Sequence, residues 1–397
     1  MKIEEYRNRF PIIKRGVNYQ ATCGIGILPD VGIQAIEDVK NSSTEIPEVN
    51  FDNFLNAHEE LKAEFAKIIN AEPGEIALAQ STSAAACRIL NSLDYKKRNK
   101  IVVSALSFPG ISFACYAQQK RGAKISFVPS PQKIGSPVDY DNLRPGPTDY
   151  EKSIDEKTIL VILTGTCYRT GFRQDKLREI VKIAHDKGAY VFIDDGQLSG
   201  HFVEDVKESN VDFLATTTYK YLLCPTGNAF LYVKKELVEQ LESLDRGWFS
   251  GEDFMESFPY WLENKGRHRL SKTANRFELG VPRLPLDYIS LPVLKMINEI
   301  GVKNIENYTK CLLDYYSQRI TEDGYEGFET KSPYNREQRS HLTIKIPNAQ
   351  RVSVELRKYN TAVEPSGEEV IRIAPHFYNI KEEIDELLIN LRKTLKK

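Results

Sequence analysis

VDFLATTTYKYLLCPTGNAFLYV, Val211 to Val233, is the stretch on which the fold reading turns. Its short apolar start runs into the hydroxyl side chains of Thr216, Thr217, Thr218 and Tyr219. Lys220 follows, and a Pro225-Thr226-Gly227 turn leads to a second apolar run, NAFLYV. A lysine that coats a surface helix sits among other charges at helical spacing. Lys220 instead lies between two strand-like runs beside a cluster of hydroxyl donors, with no acid close behind it. An amine so placed, partly desolvated, can form a Schiff base with an aldehyde. The competing reading is a solvated lysine beside a turn.

A second stretch bears on that choice. YVFIDDGQLSGH, Tyr190 to His201, reads as a buried strand ending in Asp194 and Asp195, then a small-residue loop. An acid at the carboxyl end of such a strand points into the crevice where parallel α/β sheets bind ligands. There it could keep the ring nitrogen of pyridoxal phosphate (PLP) protonated and make the ring an electron sink; the plain alternative is a turn or helix cap. Asp194 and Lys220, ending two successive strands, favour the cofactor.

Together these residues resemble the class V aminotransferase family of fold-type I PLP enzymes, with its cysteine desulfurases, isopenicillin N epimerase-like proteins and kynureninases. The family pattern D-G-A-Q-S-A-G-H falls on Asp194 to His201, with Asp195 where glycine is usual. The pattern S-x-H-K falls on Thr217 to Lys220, and Tyr-Lys-Tyr-Leu is kynureninase-like wording. The resemblance covers most of the chain. It implies an α/β fold, with a large domain whose mainly parallel sheet lies between helices and a smaller α+β C-terminal domain. The expected division is an N-terminal arm over 1–20 packing on the small domain, a large PLP-binding domain over 21–285 and a small domain over 286–397.

The 397 residues, 41% of them hydrophobic, suffice for a large core. A net charge of -1 leaves no global field for nucleic acid or an anionic membrane. No apolar run reaches the roughly 18 residues of a membrane helix, and MKIEEYRNRF is too charged for a signal peptide, so the expectation is a cytoplasmic protein. The six cysteines form no C-x-x-C pair, against a zinc site or disulfide framework; no metal is expected.

Along the chain, an extended run at Val17 to Ala21 precedes a Gly-rich loop, a helix begun near Pro29, and a long helix over FLNAHEELKAEFAKIINA. EIALAQSTSAAACRILNSL reads as strand, hydroxyl turn and helix. Helix-start amides at Ser81, Thr82 and Ser83 make a ready phosphate cradle, or an ordinary cap. The family's phosphate motif G-T-T-E-A falls here, with Ser83 in place of its glutamate. Phe108, before Pro109-Gly110, stands where desulfurases carry a histidine stacked on the cofactor; the alternative is core packing. Pro129 to Lys157 is expected to be a surface excursion with little regular structure. TGTCYRTGFRQD resembles an epimerase-like loop that puts Tyr168 near cofactor and substrate. In the following helix Leu177, Ile180, Val181, Ile183 and Ala184 face inward. RGWFSG and RFELGVP resemble segments contributed to a neighbouring subunit's site, with Val281 where the family has threonine. The Arg267, His268, Arg269 cluster is either part of that or a solvated loop. Two long helices then lead to strand, helix, strand and a final helix capped near Asn379. RIAPHFYNIKEEID matches the family's small-domain segment, whose arginine, here Arg372, takes the substrate α-carboxylate.

The resemblance thus implies Lys220 as the cofactor-binding amine and proton-transfer base, Asp194 at the ring nitrogen and Gln197 at the phenolic oxygen. Ser81, Thr82, Thr217 and Tyr219 would hold the phosphate, Phe108 would lie on the ring, and Tyr168 and Arg372 would meet an amino acid substrate. A homodimer is expected on the same ground. NTAVEPSGEEVIRI, where desulfurases carry the persulfide cysteine, has none. The expected activity is therefore a desulfurase-like or epimerase-like lyase or epimerase without the usual relay, unless Cys167 or Cys23 substitutes. An aminotransferase using a small 2-oxo acid and a silent PLP-fold protein stay open. A dinucleotide-binding protein is disfavoured, since no G-x-G-x-x-G follows an early strand.

Overall fold

The computed structural model describes residues 3–129, 142–252, 269–322, 329–330, 332–333 and 335–396. Its strands, in chain order, are β1 (Asn18–Tyr19), β2 (Ile76–Ala79), β3 (Lys100–Ser104), β4 (Lys124–Val128), β5 (Thr158–Thr164), β6 (Tyr190–Asp194), β7 (Phe213–Thr217), β8 (Ala229–Val233), β9 (Glu329–Thr330), β10 (Leu342–Lys345), β11 (Thr361–Ala362), β12 (Glu364–Ser366) and β13 (Val370–Ile373). The longer helices are α1 (Asp30–Ser42), α2 (Pro47–Ile69), α3 (Thr82–Ser92), α4 (Pro109–Ala117), α5 (Leu177–Asp186), α6 (Leu284–Ile300), α7 (Val302–Glu322), α8 (Ala349–Leu356) and α9 (Lys381–Leu395).

The central sheet runs β2-β8-β7-β6-β5-β3-β4, parallel except for β8, which is antiparallel to both neighbours. Parallel neighbours need a crossover, which helices such as α5 supply; β7 and β8 need only the connection that carries Lys220. Every residue of β5 is buried, as expected of a strand covered on both faces. The period of two then divides it: Val161 and Leu163 join one apolar core with α2, α5 and α6, and Leu160 and Ile162 join a second with α3 and α4. Phe65 of α2 stacks on Phe230 of β8 with ring centroids 4.0 Å apart, fixing that helix over the lysine-bearing hairpin.

A second, antiparallel sheet, β12-β13-β10-β9, has its own core with α7, α8 and α9. The N-terminal segment lies beside it: β1 pairs in parallel with β11 as a separate two-stranded sheet, and the Ala374 amide, just past β13, donates to the Gln20 carbonyl at 2.8 Å. Asn18 Nδ2 donates to the Glu383 carbonyl at 2.6 Å, and Arg7 pairs with the Glu383 carboxylate at 2.5 Å.

Three expectations need correction. The segment 129–157 is not without regular structure: Pro147–Ser153 is helical with Tyr150 buried, while 130–141 lies outside the described residues. The N-cap of α9 is Ile380, whose amide donates to Glu383 Oε2, and Asn379 instead donates to the Tyr19 carbonyl and to Glu383. The stretch after α8 holds two further strands, β11 and β12, that are too short, and too broken by Pro365, to show a period. Arg267 and His268 lie outside the described residues, whereas Arg269 sits 3.9 Å from Glu252.

Buried histidines give the fold a signed pH dependence. Burial drives His341 and His376 down to about 3, although His376 Nε2 donates to the Tyr221 carbonyl at 3.1 Å. Their unfolded pKa is about 6.5, so the unfolded chain binds more protons below it. Their stabilisation is complete above that pH and falls as pH drops, by roughly 1.4 kcal/mol per unit for each. For His58 burial acts downward, but hydrogen bonds to Asp287 (2.8 Å) and Glu278 (3.0 Å) outweigh it and raise the imidazole to about 9. That contribution is complete below about pH 6.5 and is lost as pH rises through about 9. Urea titrations from pH 5 to 10 should give a stability maximum near neutrality, with His58→Gln flattening the alkaline limb and His376→Gln the acid limb.

Candidate active site

β5, β6 and β7 stop at one edge of the central sheet, and the chain beyond each end supplies the site. Thr164, Asp194 and Thr217 are their last residues; Thr164 pairs with Asp194 and Asp194 with Ala215, so β7 runs two residues beyond the other two. They line one cavity of about 180 Å3 with Ser81, Thr82, Ser83, Phe108, Ile111, Thr166, Tyr168, Gly196, Gln197, Tyr219 and Lys220.

Lys220 lies in a tight turn. The Leu223 amide donates to the Lys220 carbonyl at 3.0 Å, and Leu223 has φ +57°, a left-handed conformation that costs a leucine about 1–3 kcal/mol. The Gly-rich loop after β1 holds this turn: the Gly26 amide donates to the Tyr219 carbonyl at 2.7 Å, and a Cβ on Gly26 would come within 2.1 Å of the Lys220 carbonyl oxygen. Lys220 Nζ lies 5.9 Å from the centre of the Tyr219 ring. Burial lowers its pKa, the Asp194 charge opposes that shift, and the Arg372 charge adds to it.

Asp194 is open to the cavity but otherwise enclosed by protein. Burial raises its carboxyl, against the charge of Lys220 and the Gly196 amide 3.4 Å away. Asp195 points elsewhere: it is fully buried and bonded to the Ser199 hydroxyl and amide, with burial and the charge of Glu204 pushing it well up. The alternation of a strand explains why only the first of two adjacent acids faces the cavity.

Gln197 Nε2 donates to the Cys23 carbonyl at 3.1 Å, leaving Oε1 buried without a partner. Ser81 caps α3 by accepting the Ala84 amide at 3.1 Å and keeps its own proton to donate. Thr217 is buried, while its neighbour Thr218 spends its hydroxyl on the Pro225 and Asn228 carbonyls. Phe108 is 52% exposed above the cavity and edge-on to Tyr168, with centroids 5.4 Å apart. Arg372 adjoins the cavity rather than lining it: Nη1 donates to the Tyr168 carbonyl at 3.1 Å and Nη2 to Glu364 at 3.1 Å. Cys23 is buried close enough to Lys220 and Arg372 to feel both charges, and burial pushes its thiol up. Cys167 instead packs in a small apolar cluster with Leu106 and Phe172.

Four residues in or beside the site were not singled out from the sequence: Ile111, Thr164, Thr166 and Glu364. Thr166 offers the cavity a buried hydroxyl with no partner, and its only sequence signal is its place just past an apolar strand. Glu364, facing Arg372, gave none, because its strand is three residues long. Among the described residues no cluster could hold a metal ion, and no helix is long and apolar enough to cross a membrane. A second hollow of about 260 Å3, near Val281, is lined by Arg88, Glu278, Arg283 and Asp287 and has no comparable amine.

The donor set fits PLP. A half-buried amine and a carboxyl share the cavity, a helix start with three hydroxyls opens onto it, and two further lining residues, Gln197 and Thr166, carry buried polar atoms without a partner. Fold and site define a fold-type I PLP-dependent enzyme.

The aminotransferase class-V family matches residues 42–387, and the chain belongs to that family. It is 31% identical over 388 residues to the uncharacterized aminotransferase YcbU of Bacillus subtilis, covering 97% of each chain. It is 28% identical to a probable cysteine desulfurase of Borreliella burgdorferi, over 63% of this chain and 61% of that one. The apo cysteine desulfurase of Thermococcus onnurineus NA1 shares the fold with a TM-score of 0.83 at 22% identity, over 99% of this chain and 98% of that one.

Two substitutions test the local geometry. In protein purified with PLP, borohydride treatment should leave the cofactor mass attached to the wild type and to none of the Lys220→Ala variant, read by intact mass. Gly26→Ala should lower cofactor retention and the melting temperature together, since its Cβ has nowhere to go without moving the Lys220 carbonyl.

Proposed function

We propose that the protein acts on an amino acid, with Lys220 as cofactor-binding amine and proton-transfer base, and that the outcome is elimination or epimerisation rather than persulfide transfer. The observation that carries this reading is the one cavity that Lys220 and Asp194 line together, with Arg372 adjoining it near enough for its charge to act on Lys220. When bound, the cofactor supplies an electron sink for the bond broken at the substrate α-carbon.

The chain's own residues supply the rest. Asp194, at the end of β6, offers a carboxylate to the ring nitrogen; a cation there would offset the cost that burial places on its charge. Gln197 faces the ring's phenolic oxygen with the second hydrogen of its amide. Ser81, Thr82, Thr217 and Tyr219 give the phosphate hydroxyl donors beside the start of α3. Phe108 and Tyr168 wall the cavity, and Arg372 takes the substrate carboxylate. With its pKa lowered by burial, Lys220 holds more of its amine in the neutral form that can accept a proton. Persulfide chemistry calls for a mobile thiol; the segment 360–373 has none, and Cys23 and Cys167 are buried.

The same reading takes the chain as an arm over 1–20, a large domain over 21–285 and a small domain over 286–397, with substrate entering between the last two. It also takes the protein as a homodimer, supported by exposed Phe108, Phe113 and Val281.

The deciding experiment incubates the holoenzyme with single amino acids, following the cofactor spectrum, α-hydrogen exchange with deuterium, and release of sulfide, pyruvate and keto acids. Elimination yields pyruvate or an equivalent keto acid with its leaving group; epimerisation yields exchange with inversion. Stoichiometric conversion of an added 2-oxo acid would instead establish the aminotransferase. Asp194→Asn should lower turnover by roughly 10²–10⁴-fold while leaving the borohydride-trapped mass intact.

A further inference from the structure

Resting on the reading of Arg372 as the residue for the substrate carboxylate, the site carries a competing carboxylate of its own. Glu364 on β12 lies directly opposite Arg372 on β13 in antiparallel register, which puts both side chains on one face of the sheet. Glu364 Oε1 accepts from Arg372 Nη2 at 3.1 Å, Nη1 donates to the Tyr168 carbonyl at 3.1 Å, and Nε is buried without an acceptor. A guanidinium grips a carboxylate bidentately through Nη1 with Nη2 or through Nε with Nη2. Nη2 belongs to both grips, so Glu364 contests either one.

The arrangement is built rather than casual. A Cβ on Gly24 would lie 2.6 Å from Glu364 Cδ and Oε2, so the loop after β1 leaves room for this carboxylate and little else. The Arg372 side chain is only 10% exposed, and an unpartnered charge there would be costly. Glu364 is 35% exposed and has a solvated side toward which it can turn.

We propose that Glu364 is the resident occupant of the Arg372 fork. It neutralises the guanidinium in the empty site and must turn away before a substrate carboxylate docks, so it sets which carboxylates bind and how tightly. A ligand able to make both bonds of the fork displaces it; a ligand with a poorly placed carboxylate does not.

Calorimetric titration of the holoenzyme with propionate, L-alanine and L-lysine tests this in wild type, Glu364→Gln, Glu364→Ala, Arg372→Gln and the Glu364→Gln/Arg372→Gln pair. An unchanged cofactor spectrum in the Glu364 variants verifies the fold. The expected result is propionate and L-alanine binding about tenfold tighter in both Glu364 variants, the scale of one competing charge-assisted hydrogen bond removed, with the gain absent when Arg372 is also replaced. Unchanged or weaker propionate binding in the Glu364 variants, with Arg372→Gln still weakening it, overturns the proposal and leaves the Arg372 reading standing. Weaker L-lysine binding alone in the Glu364 variants also overturns it, making Glu364 a receptor for a distal cation. No effect of Arg372→Gln on propionate or L-alanine would remove the reading of Arg372 itself.

Discussion

The register of three parallel strands is the constraint on which this site depends. Thr164 pairs with Asp194 and Asp194 with Ala215, so β5 and β6 end level, β7 runs two residues further to Thr217, and the last side chain of each lines the same cavity. Backbone hydrogen bonds and two apolar cores set that register, because a slip of one residue would send Val161 and Leu163 to the wrong face. The same slip would exchange Asp194 for Asp195 at the cavity. Core packing and placement of the acid are thus one choice.

The lysine is held differently. No strand fixes it; a turn does, ending in a left-handed leucine and clamped by the loop that contains Gly24 and Gly26. Because that loop follows β1, β1 pairs with β11 just before β12, and the Ala374 amide just past β13 donates to the Gln20 carbonyl, the lysine turn and the segment bearing Glu364 and Arg372 are tied through the N-terminal arm. Cys23 belongs to the same joint: its carbonyl takes the Gln197 amide, and the charges of both the lysine and the arginine act on its thiol. The arm therefore works as a spacer between the turn that carries Lys220 and the strands that carry Glu364 and Arg372.

The charges around the cavity nearly balance, with Lys220 and Arg372 set against Asp194 and Glu364. Burial disfavours each charge on Lys220 and Asp194, and their mutual attraction opposes that for both. A site of this kind is poised for a cofactor and substrate that bring their own charges, since either arrival redistributes the pairing.

Much was legible before folding. The two apolar runs around Lys220, the acid ending YVFID and the hydroxyl turn before α3 carried the strand ends and the helix start, because burial on both faces and amide capping leave compositional marks. Arg372 was legible only through resemblance. The helix at Pro147–Ser153, the strands β11 and β12 and the partnership of Glu364 with Arg372 left no periodic mark, since two or three residues cannot show a period and a cross-strand pair is separated by a turn. The sequence alone determined which residue types stand at the carboxyl ends of the strands, for side-chain alternation and hydrophobic burial are local properties. Only the tertiary structure decided which of them share a cavity and which acid holds the arginine, because those contacts depend on long-range register and on the arm that closes one sheet against the other.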